Sequence, residues 1–523
     1  MTFELRPYQK KVLNDPRIVA ILYWLIGKRA EPPEFMSPLV VSPTGSGKTA
    51  MFAAIAKWCR EHNLRVLILT HRREILEQTV KALYRLGITP GQIIAGRPMT
   101  GDLIQVASVQ TLQNRVGQIW KPDLILSDEA HHDTVENGRG KVLKFFGSVP
   151  RIGWSATPQR LDGVGLRPLY DTIILGESTK WLVDEGYLSM PIVYQPPGMV
   201  DEKFHIVRGD VDLKEQELVM TKKAIVGNAI DHYKKYLNGA PTIVSCVSID
   251  HARLMAEQYE AAGFRSRVVW GNMKTEDRED ALTGLGTGKY NIVTFADLIG
   301  EGVDIPIVTG LQMLRLTMSL TLDLQYIGRT LRPIYAEGYD LSTREGRLAA
   351  IAAGPKPFAI VLDHVGNTKR ELHGHPLIDR EWSLDSGKRP KGELAPATTT
   401  CPKCYGVWPG RPRSCPSCGH SFVLAEAQAK AQELHVVEGE LVEAGLPEDE
   451  AADMSAFIAR ALRADGAMKA KMIMGKAFEI MTSGEDEETR KRNVEALAGA
   501  VGYKKGWAEK MWDIKKKQQL ARA

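Results

Sequence analysis

The sequence predicts an α/β protein with two successive parallel-sheet units, followed by a small cysteine-rich module and a helical C-terminal region. Short β-branched, apolar runs alternate with helix-like patterns over residues 36–185, and the alternation resumes further along the chain. Such alternation is typical of parallel sheets covered by helices. Four of the six cysteines then cluster within residues 401–418, and the remaining chain is rich in Ala, Glu, Lys and Met.

Each sheet unit supplies its own set of expected strands. In the first unit they are Leu39–Ser42, Val66–Thr70, Leu103–Ala107, Leu124–Ser127 and Arg151–Ser155. In the second unit they are Thr242–Val247, Arg267–Trp270, Asn291–Phe295, Gly310–Leu314 and Phe358–Asp363. We therefore expect domains at residues 1–185 and 186–384, with a hinge in an irregular stretch at 186–225. A linker at 385–400, the cysteine module at 401–422 and a helical region at 423–523 complete the predicted organisation.

Length and composition exclude several classes of protein. The 523 residues correspond to about three or four domains. A hydrophobic fraction of 44% with 25% charged residues is ordinary for a globular protein and excludes wholesale disorder. The net charge of +5 permits a polyanionic partner without requiring one. The start MTFELRPYQKK lacks a signal-peptide core, and no apolar run approaches the length of a membrane span, so we expect a cytoplasmic protein without a membrane partner.

A phosphate-binding loop follows the first expected strand. Residues 42–50 read SPTGSGKTA, which matches GxxxxGK[ST] except that Ser42 replaces the first glycine. Glycines let backbone N–H groups wrap phosphates at a helix N-terminus, while Lys48 reaches the β- and γ-phosphates and Thr49 offers a hydroxyl to Mg²⁺. The expected nucleotide-binding residues are Thr44, Gly45, Ser46, Gly47, Lys48 and Thr49. The alternative, a plain glycine turn before a helix, leaves the Lys-Thr pair unexplained.

A carboxylate pair follows the strand at Leu124–Ser127. The sequence there is Asp128-Glu129-Ala130-His131, and ligands of parallel sheets bind beyond the carboxyl ends of strands. We expect Asp128 to hold Mg²⁺ and Glu129 to act as the general base for an attacking water. His131 could connect this site to the next motif. An acidic helix cap is the alternative interpretation.

Together these motifs resemble the core of a superfamily-two helicase of the DEAH type, over roughly residues 1–365. The resemblance implies two RecA-like domains with ATP bound between them. Leu5–Gln9 resembles the Q-motif, where Gln9 would read adenine with support from Arg6. Ser155-Ala156-Thr157 resembles motif III, which links hydrolysis to nucleic-acid contact. Val293–Pro306 resembles motif V, in which Gly302 and Asp304 would approach the ribose and Thr294 the nucleic-acid backbone.

Two arginines complete the expected site. Residues 325–332, QYIGRTLR, match the QxxGRxxR form of motif VI. Arg329 and Arg332 are three residues apart, so one helical face can present both. An arginine from a second domain stabilises the charge that develops on the γ-phosphate. We expect Arg332 to be this arginine finger and Arg329 to contact the γ-phosphate. A basic surface pair is the alternative.

Hydroxyl and basic side chains elsewhere are candidates for the nucleic-acid backbone. The segment Thr70-His71-Arg72 resembles motif Ia, and Ser108 and Thr111 resemble the following contact motif. Small hydroxyls, amides and arginines contact phosphates and give position without reading sequence. Helix N-caps are the alternative for Thr70 and Ser108. DNA and RNA cannot be distinguished from these residues.

The four clustered cysteines predict a structural zinc site. Cys401 and Cys404 form one CPxC knuckle, Cys415 and Cys418 form another, and two knuckles make the closed Cys₄ tetrahedron that Zn²⁺ prefers. A redox dithiol is the alternative. The nearby side chains Lys403, Tyr405, Trp408, Arg411 and Arg413 suit either a nucleic-acid contact or a small core with a solvated surface.

The ribbon and Val361–Asn367 together are similar to RadD-type bacterial DNA-repair helicases and to phage-encoded helicases. This resemblance implies an ATP-dependent DNA helicase or translocase of repair, recombination or replication, in a bacterium or in a phage host's cytoplasm. The cofactors would be ATP, Mg²⁺ and Zn²⁺, and the helical region 423–523 could bind a protein partner. A DEAH-type RNA helicase and a scaffold whose ATPase depends on a partner are the competing hypotheses.

Overall fold

The computed structural model describes ten stretches of the chain and some residues near its C-terminus. These are residues 4–134, 138–158, 165–195, 205–207, 210–271, 273–296, 305–370, 373–385, 398–410 and 412–422, with 477, 480, 486–500, 503, 506–510 and 512. The chain divides into two compact units, Met1–Ala429 and Lys430–Ala523. The first unit contains both sheets.

The first sheet has seven parallel strands in the order β3-β4-β2-β5-β6-β1-β7. The strands are β1 (Pro38–Val41), β2 (Val66–Thr70), β3 (Gly91–Ile93), β4 (Ile104–Ser108), β5 (Leu124–Ser127), β6 (Arg151–Ser155) and β7 (Thr172–Leu175). Strands β1, β2 and β5 are buried along their whole length, because helices cover both faces of the sheet. The five predicted strands of this domain are confirmed.

The second sheet has six parallel strands and two antiparallel ones, in the order β12-β13-β11-β14-β15-β8-β17-β16. The strands are β8 (Met190–Tyr194), β11 (Thr242–Ser245), β12 (Ser266–Val269), β13 (Ile292–Phe295), β14 (Gly310–Met313), β15 (Phe358–Asp363), β16 (Thr398–Thr400) and β17 (Gly406–Pro409). The hairpin β16–β17 carries the first cysteine knuckle and pairs with β8 through Val407↔Val193. The cysteine module therefore extends this sheet.

Helices connect the strands in both domains. The first domain contains α1 (Pro7–Leu13), α2 (Pro16–Leu25), α3 (Lys48–Glu61), α4 (Arg73–Arg85), α5 (Val109–Leu112) and α6 (Gly138–Phe145). Next come α7 (Thr179–Asp184), α8 (Leu213–Met220), α9 (Lys223–Tyr236), α10 (Ile249–Ala261), α11 (Thr275–Thr287), α12 (Leu320–Thr330) and α13 (Arg344–Ala353). The two sheets have separate buried cores. This is the predicted fold, two RecA-like domains in tandem.

The stretch at residues 186–225 is not irregular as expected. It contains β8, the short strands β9 (Ile206–Val207) and β10 (Asp210–Val211), and α8. Strand β8 pairs with β15 over its full length, and its side chains alternate between intermediate and full burial. Leu182 and Val183 of α7 already belong to the second domain's core.

After β15 the chain crosses back to the first domain. Leu377 packs in the second domain's core, whereas Leu384 is buried beside Leu39, Ala130 and Tyr170 of the first. The N–H of Arg167 donates to the carbonyl of Leu384 at 3.0 Å. This crossing segment, residues 373–385, thus contacts both RecA-like domains.

The second unit is helical where it is described. Helix α14 (Glu487–Ala500) begins after Asp486, whose carboxylate accepts hydrogen bonds from the N–H groups of Glu488 and Thr489. Tyr503 and Trp507 stack with ring centroids 4.5 Å apart. Among the residues that the structure describes, no helix is both long and apolar enough to cross a membrane.

Candidate nucleotide and nucleic-acid site

The phosphate-binding loop lies at the carboxyl end of β1 and leads into α3. Gly47 is the N-cap of α3 with φ +81°, a left-handed conformation that favours glycine. A Cβ on Gly47 would collide with the side chain of Gln9. The loop is therefore a close-fitting cradle at a helix N-terminus, the arrangement that favours phosphate.

Lys48 lies in this cradle and is only 8% exposed. Its Nζ donates to the carbonyl of Ser42 at 3.2 Å. Burial lowers the pKa of Lys48, and the neighbouring carboxylates Glu129 and Asp128 partly oppose this effect. A buried amine at this position fits a polyphosphate, which would replace the hydration that burial removes.

The carboxylate pair follows β5, as expected from the sequence. Asp128 is 6% exposed, and burial, with a further contribution from Glu129, raises its pKa to about 7. Glu129 has φ +48°, an uncommon conformation for a non-glycine residue, and it is followed by a tight turn at Ala130–His132. The turn brings Glu129 to within 3.4 Å of His131.

A buried network missed by the sequence analysis supports this turn. Arg139 of α6 donates to the backbone carbonyl of Asp128 at 2.8 Å, and it pairs with Asp133 at 2.6 Å. The hydroxyl of Tyr170 also donates to Asp133. Both Arg139 and Asp133 are almost completely buried. Their separation along the chain gave no recognisable motif, so only the fold reveals them.

The second domain closes onto the phosphate loop through α12. A Cβ on Gly328 would collide with Thr44, and a Cβ on Gly45 would lie 3.8 Å from Cγ of Arg332. Arg329 and Arg332 both lie close enough to Lys48 to lower its pKa. The structure therefore brings Lys48, Asp128, Glu129 and both arginines into one site.

Two further contacts cross the cleft between the domains. His131 Nδ1 lies 3.1 Å from Ser155 Oγ, and its Nε2 lies 3.3 Å from the amide nitrogen of Gln325. The hydroxyls of Thr157 and Thr321 are 2.7 Å apart. Motif III and the DEAH turn are thus in direct contact with the motif VI helix.

The Q-motif residues pack against the phosphate loop. The side-chain amide of Gln9 donates to the carbonyl of Ser46 at 2.9 Å, and its oxygen accepts from the N–H of Arg6. The hydroxyl of Tyr8 donates to the same carbonyl. The Arg6 guanidinium lies over the ring of Tyr187, 5.0 Å from its centroid. In this arrangement Gln9 supports the loop.

The candidate nucleic-acid residues separate into two groups. Thr70 and Thr294 are fully buried, and their hydroxyls donate to the carbonyls of Ala107 and Ala252. Neither hydroxyl is available to a phosphate, and Thr70 is not a helix cap because α4 is capped at Arg72. By contrast, the remaining candidates are partly exposed, namely His71, Arg72, Ser108 and Thr111. Gly302, Asp304 and Arg411 lie outside the described residues.

The four cysteines form a compact cluster. All four Sγ atoms lie within 4.8 Å of one another, with 3.6 Å between Cys401 and Cys418 and 3.5 Å between Cys404 and Cys415. A tetrahedral zinc site with Zn–S bonds of about 2.3 Å has S···S edges of roughly 3.8 Å, whereas a disulfide is about 2.05 Å long. The donor set and its spacing fit one thiolate-bound metal.

The two knuckles have the same backbone geometry. The carbonyl of Cys401 accepts from the N–H of Tyr405, and the carbonyl of Cys415 accepts from the N–H of Gly419, each at 2.8 Å. Tyr405 and Gly419 both have positive φ. From the sequence, Trp408 suits either a nucleic-acid contact or part of a small core. Its side chain is 7% exposed and packs in the cysteine core.

Fold and site together define a two-domain nucleoside-triphosphatase with a composite site. Comparison with known proteins specifies the class further. Residues 2–160 match the family "Type III restriction enzyme, res subunit", and residues 222–333 match the "Helicase conserved C-terminal domain" family. The chain carries the core of a superfamily-two helicase, a nucleic-acid-dependent ATPase.

Relatives are found in a phage and in yeast. The chain is 29% identical over 410 residues to a 51.5 kDa protein of a Lactococcus phage. The match covers 77% of the chain and 83% of the phage protein. It is 28% identical over 350 residues to a putative mitochondrial ATP-dependent helicase of Schizosaccharomyces pombe. That match covers 63% of the chain and only 55% of the yeast protein.

A solved structure shares the fold. It is a fragment of a putative HsdR subunit of a type I restriction enzyme from Vibrio vulnificus, with a TM-score of 0.50 and 20% sequence identity. The likeness covers 70% of this chain and 64% of that one.

Proposed function

We propose that the protein is a DNA-dependent ATPase that translocates along or unwinds DNA. The observation that carries the proposal is the contact of α12 with the phosphate loop. Because Gly328 packs directly on Thr44, Arg329 and Arg332 of one domain lie near Lys48 of the other. Hydrolysis then depends on domain closure, which is how such a site converts ATP turnover into movement.

Each charged residue has a distinct role in this proposal. Lys48 binds the β- and γ-phosphates, and Glu129 accepts the proton of the attacking water. Arg332 donates to the γ-phosphate oxygens in the transition state, while Arg329 holds them in the ground state. Gly302 and Asp304 remain candidates for the ribose, and Arg6 and Gln9 for adenine.

Mg²⁺ fits the carboxylate end of the same cradle. Asp128 and Thr49 are the residues that would hold it, directly or through water. Burial and the neighbouring Glu129 raise the pKa of Asp128, and the positive charges of Lys48 and Arg139 only partly oppose that rise. The cation would add the positive charge that favours the ionised carboxylate, and it would neutralise the phosphates.

DNA is the proposed polymer for two reasons. The family that matches residues 2–160 is named for a restriction enzyme subunit, and such enzymes act on DNA. The core is also followed by a cysteine ribbon, as in RadD-type and phage-encoded DNA helicases. His71, Arg72, Ser108 and Thr111 are the proposed contacts to the backbone.

We further propose that the four cysteines hold a structural Zn²⁺. The four thiolates would take all four positions of a tetrahedral Zn²⁺, so no open coordination site would be left for catalysis. The short β16–β17 hairpin has little core of its own apart from Trp408 and Phe422. A metal would supply the stability that so small a core cannot.

The test is steady-state ATP hydrolysis by the full chain. Turnover is compared without polymer and with single-stranded, duplex and forked DNA and single-stranded RNA, at one salt concentration because phosphate-driven binding depends steeply on salt. Stimulation by DNA and not by RNA is expected. Stimulation by RNA alone would instead support the hypothesis that the protein is an RNA helicase. Absence of turnover with every polymer would favour the scaffold with a partner-dependent ATPase.

A further inference from the structure

Lys356 is a lysine buried in the second domain, between α13 and β15. It is 0% exposed, and among the described residues the other lysine classed as buried is the catalytic Lys48. Burying an amine is costly unless it is well hydrogen-bonded. A lysine amine buried in this way therefore needs specific hydrogen-bond acceptors around it.

The amine joins two functional segments. Its Nζ donates to the carbonyl of Pro306 at 2.9 Å and to the carbonyl of Arg332 at 2.9 Å. Pro306 ends the motif V segment, and Arg332 ends motif VI. One side chain therefore fixes the backbone of Arg332 relative to the segment expected to contact the ribose.

The position of Arg332 explains why such a contact is needed. Helix α12 ends at Thr330, and carbonyls at and beyond a helix C-terminus have no partner within the helix. The N–H of Ser189 donates to the carbonyl of Leu331 at 2.7 Å, and Lys356 donates to the next carbonyl. Two consecutive carbonyls are thus held from outside the helix, and a cationic amine is favourable at this end of the helix dipole.

The amine can make both contacts whether it is charged or neutral. Burial, followed by the nearby Arg332, lowers the pKa of Lys356 to about 7. The neutral amine still has two N–H donors, one for each carbonyl.

We propose that Lys356 is a positioning residue for Arg332, holding the backbone from which the guanidinium reaches across the cleft. The inference rests on the proposed function, in which Arg332 stabilises the transition state. A shift of about 1 Å in a catalytic group can cost about 10²-fold in rate. Loss of Lys356 is therefore expected to lower kcat and to leave ATP binding largely intact.

The experiment compares Lys356→Met with Lys289→Met in the full chain. Methionine has nearly the length of lysine and removes the N–H donors together with the charge, and Lys289 is a half-exposed lysine of the same domain at which the same change is made. We expect kcat to fall about 10²-fold in Lys356→Met, with KM for ATP within about threefold of wild type, and no change in Lys289→Met. Normal kcat in Lys356→Met would overturn the proposal.

A double mutant separates positioning from general damage. If Lys356 acts through Arg332, adding Lys356→Met to Arg332→Ala lowers single-turnover hydrolysis little further, because coupled residues are not additive. A full multiplicative loss would mean that Lys356 acts elsewhere and would refute the proposal. Normal turnover of Arg332→Ala alone would instead refute the arginine assignment in the proposed function.

Folding is checked by thermal unfolding of each variant. Should Lys356→Met fail to fold, Lys356→Gln is the second variant, since its amide keeps N–H donors on a side chain one bond shorter. An intermediate loss of kcat in a folded Lys356→Gln supports positioning, and wild-type kcat opposes it.

Discussion

The ring of His131 and the side-chain amide of Gln325 meet across the cleft, with 3.3 Å between Nε2 of His131 and the amide nitrogen. His131 belongs to the DEAH turn and Gln325 to the motif VI helix, and both side chains are buried. His131 also contacts Ser155 of motif III. A single imidazole therefore contacts both the carboxylate site and the second domain.

Replacing Gln325 by Ala should uncouple the domains without emptying the nucleotide site. ATP affinity depends mainly on the phosphate loop of the first domain, so we expect it to change less than about threefold. Polymer-stimulated turnover should fall by about tenfold or more, since closure loses a buried hydrogen bond of roughly 1–2 kcal/mol. Fluorescent-nucleotide titration and steady-state ATPase measure the two effects. Glu260→Ala on the exposed side of α10 is the control, and an unaltered stimulated rate in Gln325→Ala would oppose this role.

Arg332→Ala should separate ATP binding from hydrolysis. The side chain of Arg332 lies beside the phosphate loop, with its Cγ 3.8 Å from where a Cβ on Gly45 would stand, so its guanidinium can meet charge that develops in the transition state. An arginine in this role is worth about 10³–10⁵ in rate, so turnover should drop by that order while ATP still binds. Single-turnover hydrolysis measures the effect, with the half-exposed Arg253→Ala of α10 as the matched control. Turnover near the wild-type rate would mean that another arginine is the finger.

Asp128→Asn should stabilise the metal-free protein, and increasingly so as pH rises. The pKa of about 7 in the folded protein lies above the ordinary value of 3.8 for an aspartate, so between these values the folded state keeps a proton that the unfolded state has lost. This group therefore makes folding less favourable as pH rises from about 4 to 7, after which its effect is constant. Three pKa units set an upper bound of about 4 kcal/mol.

Urea unfolding in EDTA, followed from pH 4.5 to 8, measures this difference. The gain in unfolding midpoint of Asp128→Asn should grow across that range. Asp250→Asn, at a carboxylate with 84% of its side chain exposed, should show almost no gain. A gain for Asp128→Asn that does not vary with pH would contradict the assignment of a buried, proton-binding carboxyl group.

Cys415→Ser should release the proposed zinc and unfold the ribbon. Removing one thiolate leaves three ligands, and metal binding is coupled to the folding of such small modules. Metal content by elemental analysis should fall from one zinc per chain towards zero, while ATPase activity without polymer is retained. Ser417→Ala in the same knuckle should keep its metal. Retention of stoichiometric zinc by Cys415→Ser would rule out the four-thiolate site.

Most of the fold could be predicted because buried parallel strands have a strong local signal. The apolar, β-branched runs at β1, β2 and β5 are buried over their whole length. Strand β8 was missed, because its side chains alternate in burial and it contains Pro191 within a stretch interrupted by loops. Its place in the sheet is fixed by β15, which lies far along the chain.

The candidate site likewise contains residues that local motifs identify and residues that only the packing of the fold reveals. The loop around Lys48 and the pair Asp128–Glu129 are short local motifs, so spacing alone identifies them. The contact of Thr157 with Thr321 and the contact of Tyr170 with Asp133 join residues distant in sequence. Such partners depend on how the elements pack, and a single sequence carries no record of that packing. Likewise, burial alone removes Thr70 and Thr294 from the exposed candidates.

The pairing of β17 with β8 has a consequence for solubility. Without the ribbon, β8 would end the parallel sheet, and its outer N–H and C=O groups near Val193 would face water. An open strand of this kind is a template for pairing with another chain and hence for aggregation. The cysteine hairpin covers that row of groups with its own backbone. The cysteine module therefore protects the second RecA-like domain from self-association through this edge.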